Sequence, residues 1–87
     1  MLSMLELKLD NQPADFLKKC EKILFERIKK KLKELCENPV PSDSKRVVGY
    51  HEPTFRVRVG KYRALYRINY SKNRIIVVKI DHRERVY

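Results

Sequence analysis

The strongest constraint on this chain is the stretch from Thr54 to Asn69, TFRVRVGKYRALYRIN. Phe55, Val57 and Val59 alternate with Arg56 and Arg58, the period-two pattern of a strand with one buried face. Gly60-Lys61 then leaves a two-residue gap before a second run rich in aromatic and aliphatic residues, the spacing of a tight hairpin with Gly at its first central position. That register sets Arg58 opposite Arg63 and Arg56 opposite Leu65, with Arg67 on the same face as Arg63. One face of the hairpin is apolar and the other carries four arginines.

Guanidinium groups directly opposite one another destabilise a sheet by roughly 0.2–1 kcal/mol. Charge on a strand does have a plain use, since it blocks edge-to-edge aggregation. With no acidic residue between Thr54 and Val78 to offset the four arginines, the stretch reads better as an anion site.

The distribution of charge supports this. Residues 1–44 hold nine Lys and Arg against eight Asp and Glu, whereas residues 45–87 hold twelve against three. Eight of the nine arginines lie in the second part, and arginine's planar fork binds phosphate bidentately where lysine acts as a point charge. A polyphosphate partner is the expectation. At 87 residues the chain is read as a single domain, 1–87, that buries about 60% of its unfolded surface. Its first residues, MLSMLELKLD, have neither the basic start of a signal peptide nor an uninterrupted apolar run, so a cytoplasmic protein is expected. Cys20 and Cys36 lack CxxC spacing and sit in helical sequence, where they read as reduced core residues; no metal and no cofactor is expected.

Along the chain, Leu5, Leu7 and Leu9 alternate with polar neighbours, predicting a first strand with a buried leucine face. Asp10-Asn11-Gln12-Pro13 is a helix-start signal with an Asx-type cap. Phe16, Leu17, Cys20, Ile23, Leu24, Ile28, Leu32, Leu35 and Cys36 then recur at helical spacing, with Lys29, Lys30 and Lys31 on the other side. The run is long and apolar all round at Ile23-Leu24-Phe25, which predicts a break near residues 20–22 and a two-helix hairpin. Asn38-Pro39-Val40-Pro41 ends the helix. Val47-Val48 reads as a short irregular strand, His51 as loop, and Arg74 to Ile80 as a strand apolar on both faces. Simple alternation there puts Lys79, Asp81 and Arg83 on one face and Ile76, Val78, Ile80 and His82 on the other. Tyr62, Tyr66 and Tyr70 fall on the apolar side of their strand and read as core.

The order β-α-α-β-β-β, the strand FRVRV, the segment KYRALYRI and the ending HRERVY resemble the RelE/ParE superfamily of bacterial and archaeal toxins, and within it the RelE-type ribosome-dependent mRNA endonucleases. The resemblance implies an α+β fold with an N-terminal strand, a two-helix hairpin and an antiparallel three-stranded meander. By position it implies that Arg56, Arg58, Arg63, Arg83 and Tyr87 are catalytic, with Arg85 beside Arg83; Arg67, Lys79, His82 and Arg85 are the expected substrate contacts. The family's best-studied enzymes carry lysines where Arg56 and Arg58 stand, their hairpin turn is two residues longer, and they have a C-terminal helix absent after Tyr87.

The implied activity is metal-independent cleavage of mRNA in the ribosomal A site, the ribose 2′-OH attacking the adjacent phosphate to leave a 2′,3′-cyclic phosphate and a 5′-OH. Implied partners are a RelB-type antitoxin, mRNA on the ribosome and 16S rRNA. Arginines suit the stabilisation of phosphorane charge but not the removal of a proton, their pKa lying above about 12. Proton transfer is therefore expected from His82, Glu84 or Tyr87. Two other readings stay open: a ParE-type inhibitor of DNA gyrase, and a non-catalytic nucleic-acid-binding module.

Overall fold

The computed structural model describes residues 4–82. A first strand, β1 (Glu6–Leu9), leads into α1 (Asn11–Lys19) and α2 (Lys22–Glu37), followed by β2 (Lys45–Val47), β3 (Thr54–Val59), β4 (Tyr62–Asn69) and β5 (Arg74–His82). The strands form one sheet in the order β1-β5-β4-β3-β2, with β1 parallel to β5 and every other neighbour antiparallel. The predicted meander is β3-β4-β5; β2 adds an edge strand to it, so the sheet has five strands.

The helical break falls where the pattern predicts, without Gly or Pro. Cys20 (φ −79°, ψ 165°) and Glu21 (φ −63°, ψ 151°) are both extended, and the flanking turns close on Phe16 and Phe25: Cys20 N–H donates to the Phe16 carbonyl (3.0 Å) and Phe25 N–H to the Glu21 carbonyl (2.8 Å). The helix start differs from expectation. Asp10 occupies the N-cap, yet its side chain makes no capping bond. Gln12 in the first turn instead reaches β5, its Nε2 donating to the Ile80 carbonyl (2.6 Å) while Ile80 N–H donates to its Oε1 (2.8 Å). β1 pairs with β5 only as far as Leu9 opposite Val77, and the Gln12 amide supplies at Ile80 the pairing a longer strand would give.

Ile28, Leu32 and Leu35 of α2 pack on Val57, Val59, Ala64, Tyr66, Ile75, Val77 and Ile80, with Phe16, Leu17 and Leu24 around them. Each fully buried aliphatic side chain contributes about 1.5–3 kcal/mol. Cys36 lies in this buried set and Cys20 is half-buried, both free thiols. The leucine face of β1 is buried less than its alternation predicts: Leu7 is 37% and Leu9 38% exposed, because β1 lies at the edge of the sheet that the described residues form. Tyr70 is also exposed, since β4 ends at Asn69 and the tyrosine falls in the following turn.

Simple alternation fails along β5. Leu65 pairs with Lys79 and Tyr66 with Val77, so Val78 is an extra residue without a partner on β4. The bulge resets the faces: Ile75, Val77 and Ile80 are buried toward the helices, whereas Ile76 is not carried with Ile80. His82 keeps step with Ile80 and stands opposite Tyr62. No helix among the described residues is long and apolar enough to cross a membrane.

Candidate functional site

The face of the sheet turned away from the helices is built by register. Three rows cross it: Arg58, Arg63 and Asp81; Lys45, Arg56, Leu65 and Lys79; and Thr54, Arg67 and Ile76. The hairpin that aligns the first two rows turns at Gly60, whose φ of +60° suits the first central position of a type II′ turn. Arg27 of α2 lays its guanidinium over that turn, one nitrogen 3.4 Å from where a Cβ on Gly60 would stand. The predicted register of Arg58, Arg56 and Arg67 is the one observed.

Leu65, at the centre of this face, is 1% exposed although it lies outside the main core. Its cross-strand neighbours are Arg56 and Lys79, with Arg63 and Arg67 two positions away on its own strand. Long cationic side chains cover such a residue with their aliphatic stems while their heads stay near water. Arg67 is held at the far end, its guanidinium carbon 6.0 Å from the Tyr50 ring centroid and its Nε buried without a hydrogen-bond partner.

A cavity of about 400 Å³ opens on the other end, lined by Asp43, Lys45, Arg56, Val57, Arg58 and Arg63. Asp43 enters it from the loop between α2 and β2, where Lys31 donates to its Oδ2 (2.5 Å). The Lys31 ammonium holds the Asp43 carboxyl below its ordinary pKa. The loop is fastened further by Tyr66, whose hydroxyl donates to the Pro39 carbonyl (2.7 Å), and by Ser44 Oγ, which donates to the Pro41 carbonyl (2.7 Å). Burial pushes the Tyr66 phenol up to about 12.

Of the residues expected at the site, Arg56, Arg58, Arg63, Arg67 and Lys79 come together on this face. His82 does not. Its ring meets Tyr62 edge-on at 5.7 Å, and Tyr62 meets Phe16 of α1 at 5.5 Å, so the imidazole belongs to the helix side of the sheet. Arg83, Glu84, Arg85 and Tyr87 lie outside the described residues. Sequence reasoning missed Asp43, Lys45 and Tyr50. Lys45 becomes readable only once β2 is known to pair with β3, and neither Asp43 nor Tyr50 carries a local signal.

The arrangement suits a phosphodiester. Clustered arginines offer bidentate donors to non-bridging oxygens and cations against developing negative charge. None of them accepts a proton at neutral pH.

The family described as ParE toxin of type II toxin-antitoxin system, parDE, matches residues 8–87. A Methanocaldococcus jannaschii protein named "Putative toxin RelE1" is 43% identical over 65 residues, spanning 67% of this chain and 71% of its own. Among solved structures, the archaeal RelE–RelB complex from Pyrococcus horikoshii is similar with a TM-score of 0.82 at 25% identity, over 97% of this chain and 100% of that one. The intact E. coli RelBE complex gives 0.80 at 24% identity over 93% and 99% of the two chains, a likeness of fold. The RelB–RelE complex from Methanococcus jannaschii gives 0.67 at 26% identity over 88% and 91%. The five-stranded sheet, its basic face and these matches together make the chain a member of the RelE/ParE family of type II toxin-antitoxin toxins.

Proposed function

We propose that this toxin is a ribosome-dependent mRNA endonuclease that acts in the cytoplasm on A-site codons. Arg56, Arg58 and Arg63 would clamp the scissile phosphate, with Arg67 and Lys79 extending the track along the strand. The observation that carries the reading is the cavity in which Arg56, Arg58 and Arg63 converge beside Lys45 on one face. Arg83 and Tyr87 as further catalytic residues, with Arg85 beside Arg83 as a substrate contact, rest on the family resemblance; stacking of Tyr87 on an unpaired base is a further expectation from its chemistry. Contacts with 16S rRNA follow from the same basic surface.

A RelB-type antitoxin is the proposed partner, because the P. horikoshii relative is complexed with RelB and an uncovered face of this charge suits an acidic or amphipathic segment. The family's ParE description favours one second reading, inhibition of DNA gyrase on the same fold.

Brief expression followed by mapping of transcript 5′ ends, beside a reaction with translating ribosomes, separates the readings. Codon-phased cuts that need the ribosome and vanish in Arg63→Ala and Arg83→Ala are the expected result. Growth arrest with a DNA-damage response and no cuts would transfer the function to gyrase. Salt-sensitive binding without fragments or arrest would leave a binding module.

A further inference from the structure

The basic face supplies cations in abundance and, among the expected proton acceptors, the structure removes His82 to the helix side of the sheet. Cleavage by a ribose 2′-OH still needs a group that takes its proton. Asp81 shares the face but is the row-mate of Arg63 rather than a lining residue of the cavity, and its Oδ1 accepts the His82 N–H (2.7 Å). Among the described residues lining the cavity, Asp43 is the one carboxylate.

Its setting fits the task. The side chain is 53% exposed, reachable by a substrate, yet anchored through one oxygen to Lys31, whose own side chain is only 20% exposed. A carboxylate has about four lone-pair sites, so an ammonium on one oxygen leaves room for a hydroxyl on the other. Tyr66 pins the loop that carries it at Pro39, and the Ser44–Pro41 bond closes that loop on itself, beside the arginines that line the same cavity.

We propose that Asp43 is the general base of the cleavage, taking the proton of the attacking ribose 2′-OH. The inference rests on the endonuclease reading above. In the step, the 2′-O–H bond breaks with its proton going to the Asp43 carboxylate. The 2′ oxygen bonds to phosphorus as the P–O5′ bond breaks, and the departing 5′ oxygen takes a proton from water. Charge on the phosphorane is borne by Arg56, Arg58 and Arg63. Lys31 from α2 contacts the carboxylate, Lys45 from β2, Arg56 and Arg58 from β3 and Arg63 from β4 line the cavity it enters, and the buried Tyr66 phenol of β4 feels its charge. Lys31 holds the carboxyl below its ordinary range, which keeps it ionised at neutral pH and also lowers its basicity.

The test compares single-turnover cleavage of mRNA on programmed ribosomes by the full-length wild type, Asp43→Asn, Asp43→His and Lys31→Met, with ribosome affinity and melting temperature measured in parallel. Wild type should cleave at a rate nearly flat from about pH 6 to pH 8, well above the carboxylate range. Asp43→Asn should fall by about 10²–10⁴-fold with affinity kept. Asp43→His should recover part of the rate and acquire an acid limb at or below about pH 6.5, the imidazole range, which a merely structural aspartate would not produce. Lys31→Met breaks the same ion pair but leaves the carboxylate, so it should lose less than tenfold. Wild-type cleavage with Asp43→Asn within threefold of it, or equal losses in Asp43→Asn and Lys31→Met, overturns the assignment while leaving the endonuclease reading intact. Absence of cleavage by the wild type overturns both.

Discussion

Arg58 and Arg63 stand directly opposite one another on β3 and β4, and Asp81 on β5 faces Arg63 from the other side. The carboxylate offsets on one flank the repulsion that the arginine pair creates on the other. An anion bound between the strands would complete the balance. Taken alone the pair would destabilise the free protein, and a bound anion would relieve it.

Replacing Arg58 with Thr should consequently stabilise the free protein by up to about 1 kcal/mol, since a like-charge pair disappears and a β-branched residue suits the strand. The same change should weaken RNA binding and lower the salt slope of the ribosome affinity by about one. Urea titration and affinity at several salt concentrations check the two halves. A destabilised variant would mean that Arg58 is held by interactions the register does not reveal.

Arg63→Ala should keep a cooperative melting transition, because relief of the repulsion from Arg58 offsets the loss of its stem over Leu65 and of its place beside Asp81. Cleavage should fall by roughly 10²–10³-fold, the scale of losing one donor to a transition-state oxyanion. Retained toxicity in this variant and in Arg63→Lys alike would remove Arg63 from the site.

Leu65 tests whether the basic face has an apolar floor. It is 1% exposed on the side away from the helices, where only neighbouring side chains cover it. Leu65→Ala should cost about 2–5 kcal/mol if those stems pack as a core does. A loss below about 1 kcal/mol, read from the urea midpoint, would show that the cover is loose.

Much of this architecture was legible because local chemistry agreed with the fold. The alternation of Phe55, Val57 and Val59 with arginines, together with Gly60-Lys61, set the hairpin register without tertiary information, and the helical break at Cys20-Glu21 followed from an apolar run too broad for one helix. The misses share a cause. The Val78 bulge, the Gln12 clasp on Ile80 and the entry of Asp43 into the cavity all depend on partners 12 to 68 residues away, and no local period encodes them. His82 shows the other side of this: alternation set it in step with Ile80, where its ring packs on Tyr62, and its assignment as a substrate contact is what the packing does not match.

Gln12 allows a direct check of one such long-range contact. Its amide satisfies both backbone groups of Ile80, so Gln12→Leu leaves a donor and an acceptor without their partners. A loss of about 1–3 kcal/mol is expected, with faster hydrogen exchange at the Ile80 amide than at Val77. Unchanged exchange would show that water replaces the clasp without penalty.

Tyr66 gives the last prediction, in the alkaline range. Its phenol is fully buried, donates to the Pro39 carbonyl, and has its pKa pushed up to about 12 chiefly by burial. An unfolded tyrosine titrates near about 10. Because the folded value is the higher one, the fold favours the protonated phenol, and this stabilisation is fully present below about pH 10 and is lost as pH rises toward 12. The difference between the folded and unfolded values corresponds to something on the order of 3 kcal/mol. The wild type should therefore lose stability between about pH 10 and 12 more steeply than Tyr66→Phe, which has no proton to release there. Tyr66→Phe should in turn be weaker at neutral pH by about 0.5–1.5 kcal/mol, the net worth of one hydrogen bond. Thermal melts of both proteins from about pH 7 to 12 decide the matter: parallel curves would mean that the alkaline loss comes from lysine deprotonation across the surface, and that the Tyr66 hydroxyl does not fasten the loop that presents Asp43.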